Sequence, residues 1–300
     1  MKKSISMLLA AMMLTGALSG CGGSSSSASS DSQASGNDSG VSGAITVISR
    51  EDGSGTRGAF IELTGVEEKN DAGEKIDNTT ADAEIANKTD VVLTSVAGNE
   101  KAIGYISLGA LNDTVKAVKV DGAEATVDNV KAGAYKLSRP FNIATKGEPT
   151  GVAKDFISFI LSKEGQAVVT DNKYIAVNDA AESFVSDGSS GQIAVGGSSS
   201  VSPVMEKLIE AYKSVNPNAS IDLQTSDSTS GMTGAMDGTF AIGMASRELK
   251  DEEAAQLTGT AIALDGIAVI VNLANTIDEL SMDQIKSIYV GDITDWGDLA

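Results

Sequence analysis

The 300 residues include no histidine and only one cysteine. Without histidine there is no Ser-His-Asp or Cys-His nucleophile, no imidazole general base and no His-ligated zinc. Proton chemistry would fall to carboxylates, lysine or tyrosine. A single Cys21 excludes an internal disulfide and a Cys-rich metal site. Basic residues are scarce: 22 Lys+Arg stand against 41 Asp+Glu, a formal charge of -19. That balance repels nucleic acid and anionic membrane surfaces as partners. Aromatics make up only 4% of the chain, yet 41% is hydrophobic, enough for one large or two modest domains with real cores. Past the N-terminus no stretch approaches the 18 or more apolar residues of a membrane-spanning helix.

The one cysteine sits in an informative place. Lys2 and Lys3 form a positive n-region, Ile5 to Leu18 an apolar stretch too short to span a bilayer, and Leu18-Ser19-Gly20-Cys21 a small-residue processing site. The pattern resembles the bacterial lipobox. That resemblance implies a signal peptide over residues 1–20, lipidation of Cys21, and tethering to the outer face of the cell membrane, with no other membrane contact. Residues 21–43 are almost all Gly, Ser, Ala and Asp and read as a flexible tether.

From residue 44 onward, short apolar runs alternate with helical patterns. Strands are expected at Ala44–Ile48, Val91–Leu93, Ala102–Ile106, Gln192–Val195, Ser220–Leu223, Phe240–Met244 and Ile267–Val271. Helices are expected over 203–215, with Ser202 as N-cap and Pro203 at the first helical position, and over 152–161. In both, the apolar side chains share one face, which assigns Phe156, Phe159 and Met205 to core. This alternation predicts an α/β fold with largely parallel sheets. The polar segment 178–191 reads as a linker between segments 44–177 and 192–300.

Three hydroxyl-rich loops each fall between a strand and a helix: Arg50–Arg57, Gly196–Ser202 and Ser226–Met232. A helix N-terminus presents unpaired N–H groups and partial positive charge, and small residues allow an anion to approach the backbone. Any one such loop is also an ordinary helix cap. Three in one chain, with Arg50 as countercharge, point to an oxyanion site built from hydroxyls and amides. Such a site reconciles an anionic ligand with an acidic protein. Each charge-assisted bond is worth roughly 1.5–3 kcal/mol. Gly53–Gly58 also matches G-x-G-x-x-G, but the polar, turn-like stretch 64–78 supplies no second strand ending in an acid, so a dinucleotide site fails on context.

The loop Arg50-Glu-Asp-Gly-Ser-Gly-Thr56 resembles the phosphate-binding protein of bacterial phosphate ABC importers. Further matching signatures are 102–108, Arg139-Pro140 with Thr145-Lys-Gly147, 156–166, 197–203, 242–247, 265–272 and 291–296. The resemblance covers essentially all of 44–300. It implies a two-lobed periplasmic-binding-protein-like fold of type II, binding inorganic phosphate, without cofactor or metal, as a monomer that serves an import permease. It further implies phosphate contacts from Arg50, Ser54, Gly55 and Thr56 in one lobe, and from Ser199, Ser200, Ser228, Thr229 and Ser246 in the other. Asp52 matches an acidic residue that can only accept a hydrogen bond, which favours a protonated oxyanion over sulfate. Arg247 follows Ser246 where many relatives carry an acid.

The order of the two segments is swapped relative to that family. Two explanations fit: a circular permutation, with 44–300 forming one ligand-binding domain and 178–191 joining the family's old ends, or a tandem protein cut after its first half-domain. Other functions open at this stage are a truncated or repurposed surface or sensory protein, a receptor for sulfate or molybdate, and a surface enzyme acting on phosphate esters.

Overall fold

The computed structural model describes residues 41–299. Cys21, the expected signal peptide and most of the expected tether lie outside the described residues. The last three tether residues are held in place: Val41 N–H donates to Thr276 Oγ1 and Gly43 N–H to Asp295 Oδ1, each at 2.9 Å.

The first segment supplies β1 (Thr46–Arg50), α1 (Gly55–Thr64), β2 (Glu84–Ala86), α2 (Thr89–Ala97), β3 (Ala102–Ser107), β4 (Val115–Ala117), β5 (Ser138–Thr145), α3 (Gly151–Leu161) and α4 (Lys163–Asp171). The second supplies β6 (Gly191–Ser198), α5 (Ser202–Val215), β7 (Ala219–Ser226), α6 (Ser228–Asp237), β8 (Ile242–Ala245), β9 (Thr258–Asn272) and α7 (Met282–Val290). The strands form a hydrogen-bonded path β7-β6-β8-β5-β9-β3-β1-β2, with β4 added to β9. The expected parallel pairing holds for β1 with β2 and β3, and for β6 with β7 and β8. The strands between these groups run the other way: β5 and β9 pair antiparallel with each other and with β8 and β3 respectively, so the sheet is mixed.

The 15-residue β9 explains the two lobes. Its first part, Thr258 to Gly266, pairs with β5, and its later part, Ile267 to Val271, pairs with β3. Among the described residues, the two larger hydrophobic cores form on either side of that handover. The first gathers α1, α2, β1, β3, α7 and residues 267–271, and stacks Phe60 on Tyr105 at 3.9 Å with Tyr289 edge-on to Phe60 at 4.7 Å. The second gathers α3, β6, α5, β8, Ile262 and Ala263, with Tyr212 against Phe156 and Phe159. Full burial of each such ring is worth about 1.5–3 kcal/mol. Each core therefore draws on both sequence segments.

Two expectations are corrected. Val91–Leu93 lies inside α2, where Thr89, Val92, Leu93 and Val96 are buried at the i, i+3, i+4, i+7 spacing of a helix. Ser202 is the first residue of α5 and not its cap; its hydroxyl donates to Ser198 O and lies 2.8 Å from Thr225 Oγ1. The segment 178–191 is packed along the second lobe. Its Phe184 ring lies edge-on to Phe159 at 5.2 Å, and Asp155 on α3 accepts from Ser186 Oγ and Asp187 N–H.

Candidate functional site

The three loops converge where the lobes meet. The lobe-one loop after β1 turns into α1 with Ser54 as N-cap, its side chain accepting from Arg57 N–H. From the second lobe, β6 ends at Ser198 and runs through Ser199 and Ser200 into α5, while Asp227 caps α6 and places Ser228 at its first position. Helix starts oriented this way aim backbone N–H groups and partial positive charge at one place.

Hydroxyls from the two lobes meet there. Thr56 Oγ1 lies 2.8 Å from Ser200 Oγ and 3.3 Å from Ser246 Oγ. Ser198 Oγ donates to Ser246 Oγ at 3.0 Å, and Ser246 N–H donates to Ser228 Oγ at 3.1 Å. Thr56, Ser200, Ser228 and Ser246 are each at most 1% exposed. Gly55 makes this closeness feasible: a Cβ there would sit 2.4 Å from Ser228 Oγ and 2.9 Å from Ser246 Oγ. Thr229 closes the rim, its N–H donating across the cleft to Gly53 O at 3.2 Å.

Arg50 is buried at the same place. Its Nη2 donates to Ser199 Oγ at 3.1 Å and its Nη1 to Thr89 Oγ1 at 3.4 Å. Glu51 holds the guanidinium through two bonds of 2.8 Å, from Nε and Nη2. Such a fork–fork pair fixes the plane of the guanidinium. Tyr105 braces the loop from below: its hydroxyl accepts from Arg50 N–H at 3.1 Å and lies 2.9 Å from Ser49 Oγ, and burial pushes its pKa up to about 12.

Of the expected site residues, the structure brings together Arg50, Gly55, Thr56, Ser199, Ser200, Ser228 and Ser246, with Ser54 and Thr229 at the margin as cap and rim. Asp52 is not among them. Its carboxylate is 96% exposed and pairs with Arg57 Nη1 at 2.7 Å, because the turn at Asp52-Gly53 carries successive side chains in opposite directions. No carboxylate oxygen bonds the clustered hydroxyls among the described residues. Arg247, standing beside Ser246, is held by a two-bond pair with Glu253 at 2.7 and 2.8 Å, as Arg50 is by Glu51, and its Nη2 reaches Thr229 Oγ1 at 3.4 Å.

Four contributors, Ser198, Glu51, Thr89 and Arg139, were not singled out from sequence. Glu51 was hidden by lying next to Asp52, Thr89 by the misassigned strand, and Arg139 by sequence distance. Arg139 Nη2 donates to Thr56 Oγ1 at 3.0 Å, and its Nη1 pairs with Asp265 Oδ2 at 2.5 Å. The only available signal was the Arg139-Pro140 signature. Beside this cluster, Arg139 and Pro140 also border a cavity of about 570 Å³ flanked by Leu63, Arg247 and Leu249.

Comparison with known proteins bears on this geometry. A PBP superfamily domain model matches residues 27–164 and 183–300. A Streptococcus agalactiae protein named phosphate-binding protein PstS 2 is 50% identical over 301 residues, covering 99% of this chain and 98% of that protein. The crystal structure of a phosphate-binding protein of a phosphate ABC transporter from Streptococcus pneumoniae is 50% identical, covers 86% of this chain and 100% of its own, and superposes with a TM-score of 0.69. The Bacillus subtilis phosphate-binding protein PstS is 34% identical over 137 residues, 45% of this chain and 42% of that protein. With its two α/β lobes and this extent of identity, the chain belongs to the PBP superfamily and, within it, to the PstS family of phosphate-binding proteins.

Proposed function

We propose that this protein captures inorganic phosphate outside the cell by closure of its two lobes and delivers it to an ABC import permease, acting as a receptor and not as an enzyme. The observation that carries the reading is the buried ring of hydroxyls from both lobes, met by the Arg50 guanidinium and by helix N-termini. That set supplies many hydrogen-bond donors to a tetrahedral oxyanion while leaving the surface acidic. Bonds that bridge the cleft, Thr56 to Ser200, Arg50 to Ser199 and Thr229 to Gly53, support lobe closure as the capture step. The proposed ligand contacts are Arg50, Ser54, Gly55, Thr56, Ser199, Ser200, Ser228, Thr229 and Ser246, with Asp52 outside them. Equilibrium dialysis with labelled phosphate, competed by sulfate and by molybdate, tests the assignment. Displacement by either competitor at concentrations comparable to phosphate would reassign the ligand.

The swapped order belongs to the same reading: residues 44–300 form one circularly permuted domain. Support comes from residues near the two ends of the described chain, which are hydrogen-bonded to each other: Ile45 N–H donates to Thr294 O at 2.8 Å and Trp296 N–H to Gly43 O at 3.1 Å. Adjacent ends of this kind are what permutation needs.

Anchoring through a lipid on Cys21, with the monomeric receptor held at the outer membrane face, completes the proposal. In cells, Cys21→Ala would then shed the protein into the medium; retention at the membrane would contradict the anchor.

A further inference from the structure

Arg139 and Asp265 lie directly opposite each other in the β5–β9 ladder. That is where the chain passes from one core to the other: Leu137 and Ile267 belong to the first, Phe141 and Ala263 to the second. Both side chains are buried, at 3% and 1% exposure. The guanidinium is fixed on several sides. Its Nη1 donates to Asp265 Oδ2 and to Gly266 O, its carbon lies 5.1 Å above the Phe141 ring, and Asp265 is held in turn by Gly109 N–H at 3.3 Å. Burial disfavours both charges, drawing Arg139 down and Asp265 up, which the pair opposes. Breaking a buried pair is costly, and replacing it with apolar residues is often neutral, so stability alone does not account for keeping it.

Of the other donors of this fixed group, Nε is buried without a partner among the described residues and Nη2 reaches Thr56 Oγ1 at 3.0 Å. A guanidinium only donates. The Thr56 oxygen is therefore an acceptor toward Arg139, and its single hydrogen is left to point elsewhere, toward Ser200, Ser246 and the cleft. Arg50 imposes the same polarity on Ser199 and Thr89. We infer that Arg139, anchored by Asp265 at the lobe crossing, is a positioning residue that fixes the Thr56 hydroxyl as a donor to the bound oxyanion and thereby sets affinity. This rests on the phosphate reading above.

A double-mutant cycle on the full protein tests it, read by calorimetric titration with inorganic phosphate. Arg139→Met and Thr56→Val should each weaken binding by roughly 10- to 100-fold, the range for one hydrogen bond to a charged group. The double variant should be no weaker than the weaker single, because Arg139 acts through Thr56. Arg139→Met combined with Asp265→Leu removes both buried charges, and keeps the test valid if the single variant does not fold. In that variant thermal stability should hold while affinity stays reduced. Multiplicative losses in the cycle, or wild-type affinity in a folded variant lacking Arg139, would overturn the inference. Failure of the wild-type protein itself to bind phosphate would instead overturn the functional reading on which it rests.

Discussion

Asp155 offers a quantitative test of how the connecting segment is integrated into the fold. Its carboxylate, 3% exposed, accepts from Tyr212 Oη at 2.7 Å, Ser186 Oγ at 2.8 Å, Asp187 N–H at 2.9 Å and Asn216 Nδ2 at 3.1 Å. Burial pushes its pKa up, but the bonds from Asp187, Tyr212, Ser186 and Asn216 outweigh that and hold it below the ordinary carboxylate value. Asp155→Asn keeps the shape and replaces one acceptor oxygen by a donor, losing about two charge-assisted bonds. At pH 7 the expected loss is about 3 kcal/mol, since such bonds are worth roughly 1.5–3 kcal/mol each and are not additive. For a domain of this size that lowers Tm by about 6–12 °C. A depressed folded-state pKa means that the contribution is present above the unfolded value and lost as pH falls through the folded one. Urea unfolding of both proteins should therefore show a gap that is constant down to about pH 4, near the ordinary value, and narrows below it. Equal stability at pH 7, or a gap independent of pH, would refute the reasoning.

Gly55→Ala should lower phosphate affinity at least about tenfold, because the new Cβ would stand 2.4 Å from Ser228 Oγ and hold the lobes apart; calorimetry with an unchanged circular dichroism spectrum would show it. Asp52→Asn should leave affinity within about fivefold, since an exposed ion pair to Arg57 contributes at most about 1 kcal/mol; a large loss would return Asp52 to the site. Cleavage within 178–191 should leave two fragments that co-elute on gel filtration, because each core is built from both segments. Fragments that separate as independently folded halves would contradict the permuted single domain.

Much of the site was legible because its residues are local. Arg50, Gly55 and Thr56 lie within one strand–loop–helix unit, Ser199 and Ser200 lie in the short loop between β6 and α5, and Ser228 begins α6 directly after its cap Asp227. The misread elements share a cause. A short apolar run such as Val91–Leu93 suits a strand or a buried helix equally, and only the packing of Val92 and Val96 decides. The direction of Glu51 and Asp52 depends on the turn between β1 and α1, which sends one acid to Arg50 and the next to solvent. Arg139 is a problem of register: its partner Asp265 lies 126 residues away, and nothing local announces that they face each other. The mixed sheet was missed for the same reason, since strand direction at β5 and β9 is set by how the chain crosses between lobes.

Calorimetric titration of the purified protein with inorganic phosphate, beside Arg50→Ala, measures the central claim. One phosphate bound per chain, with binding abolished in a folded Arg50→Ala variant, is the predicted result. A cooperatively folded wild-type protein that takes up no phosphate, or an Arg50→Ala variant that binds as tightly as wild type, would contradict it.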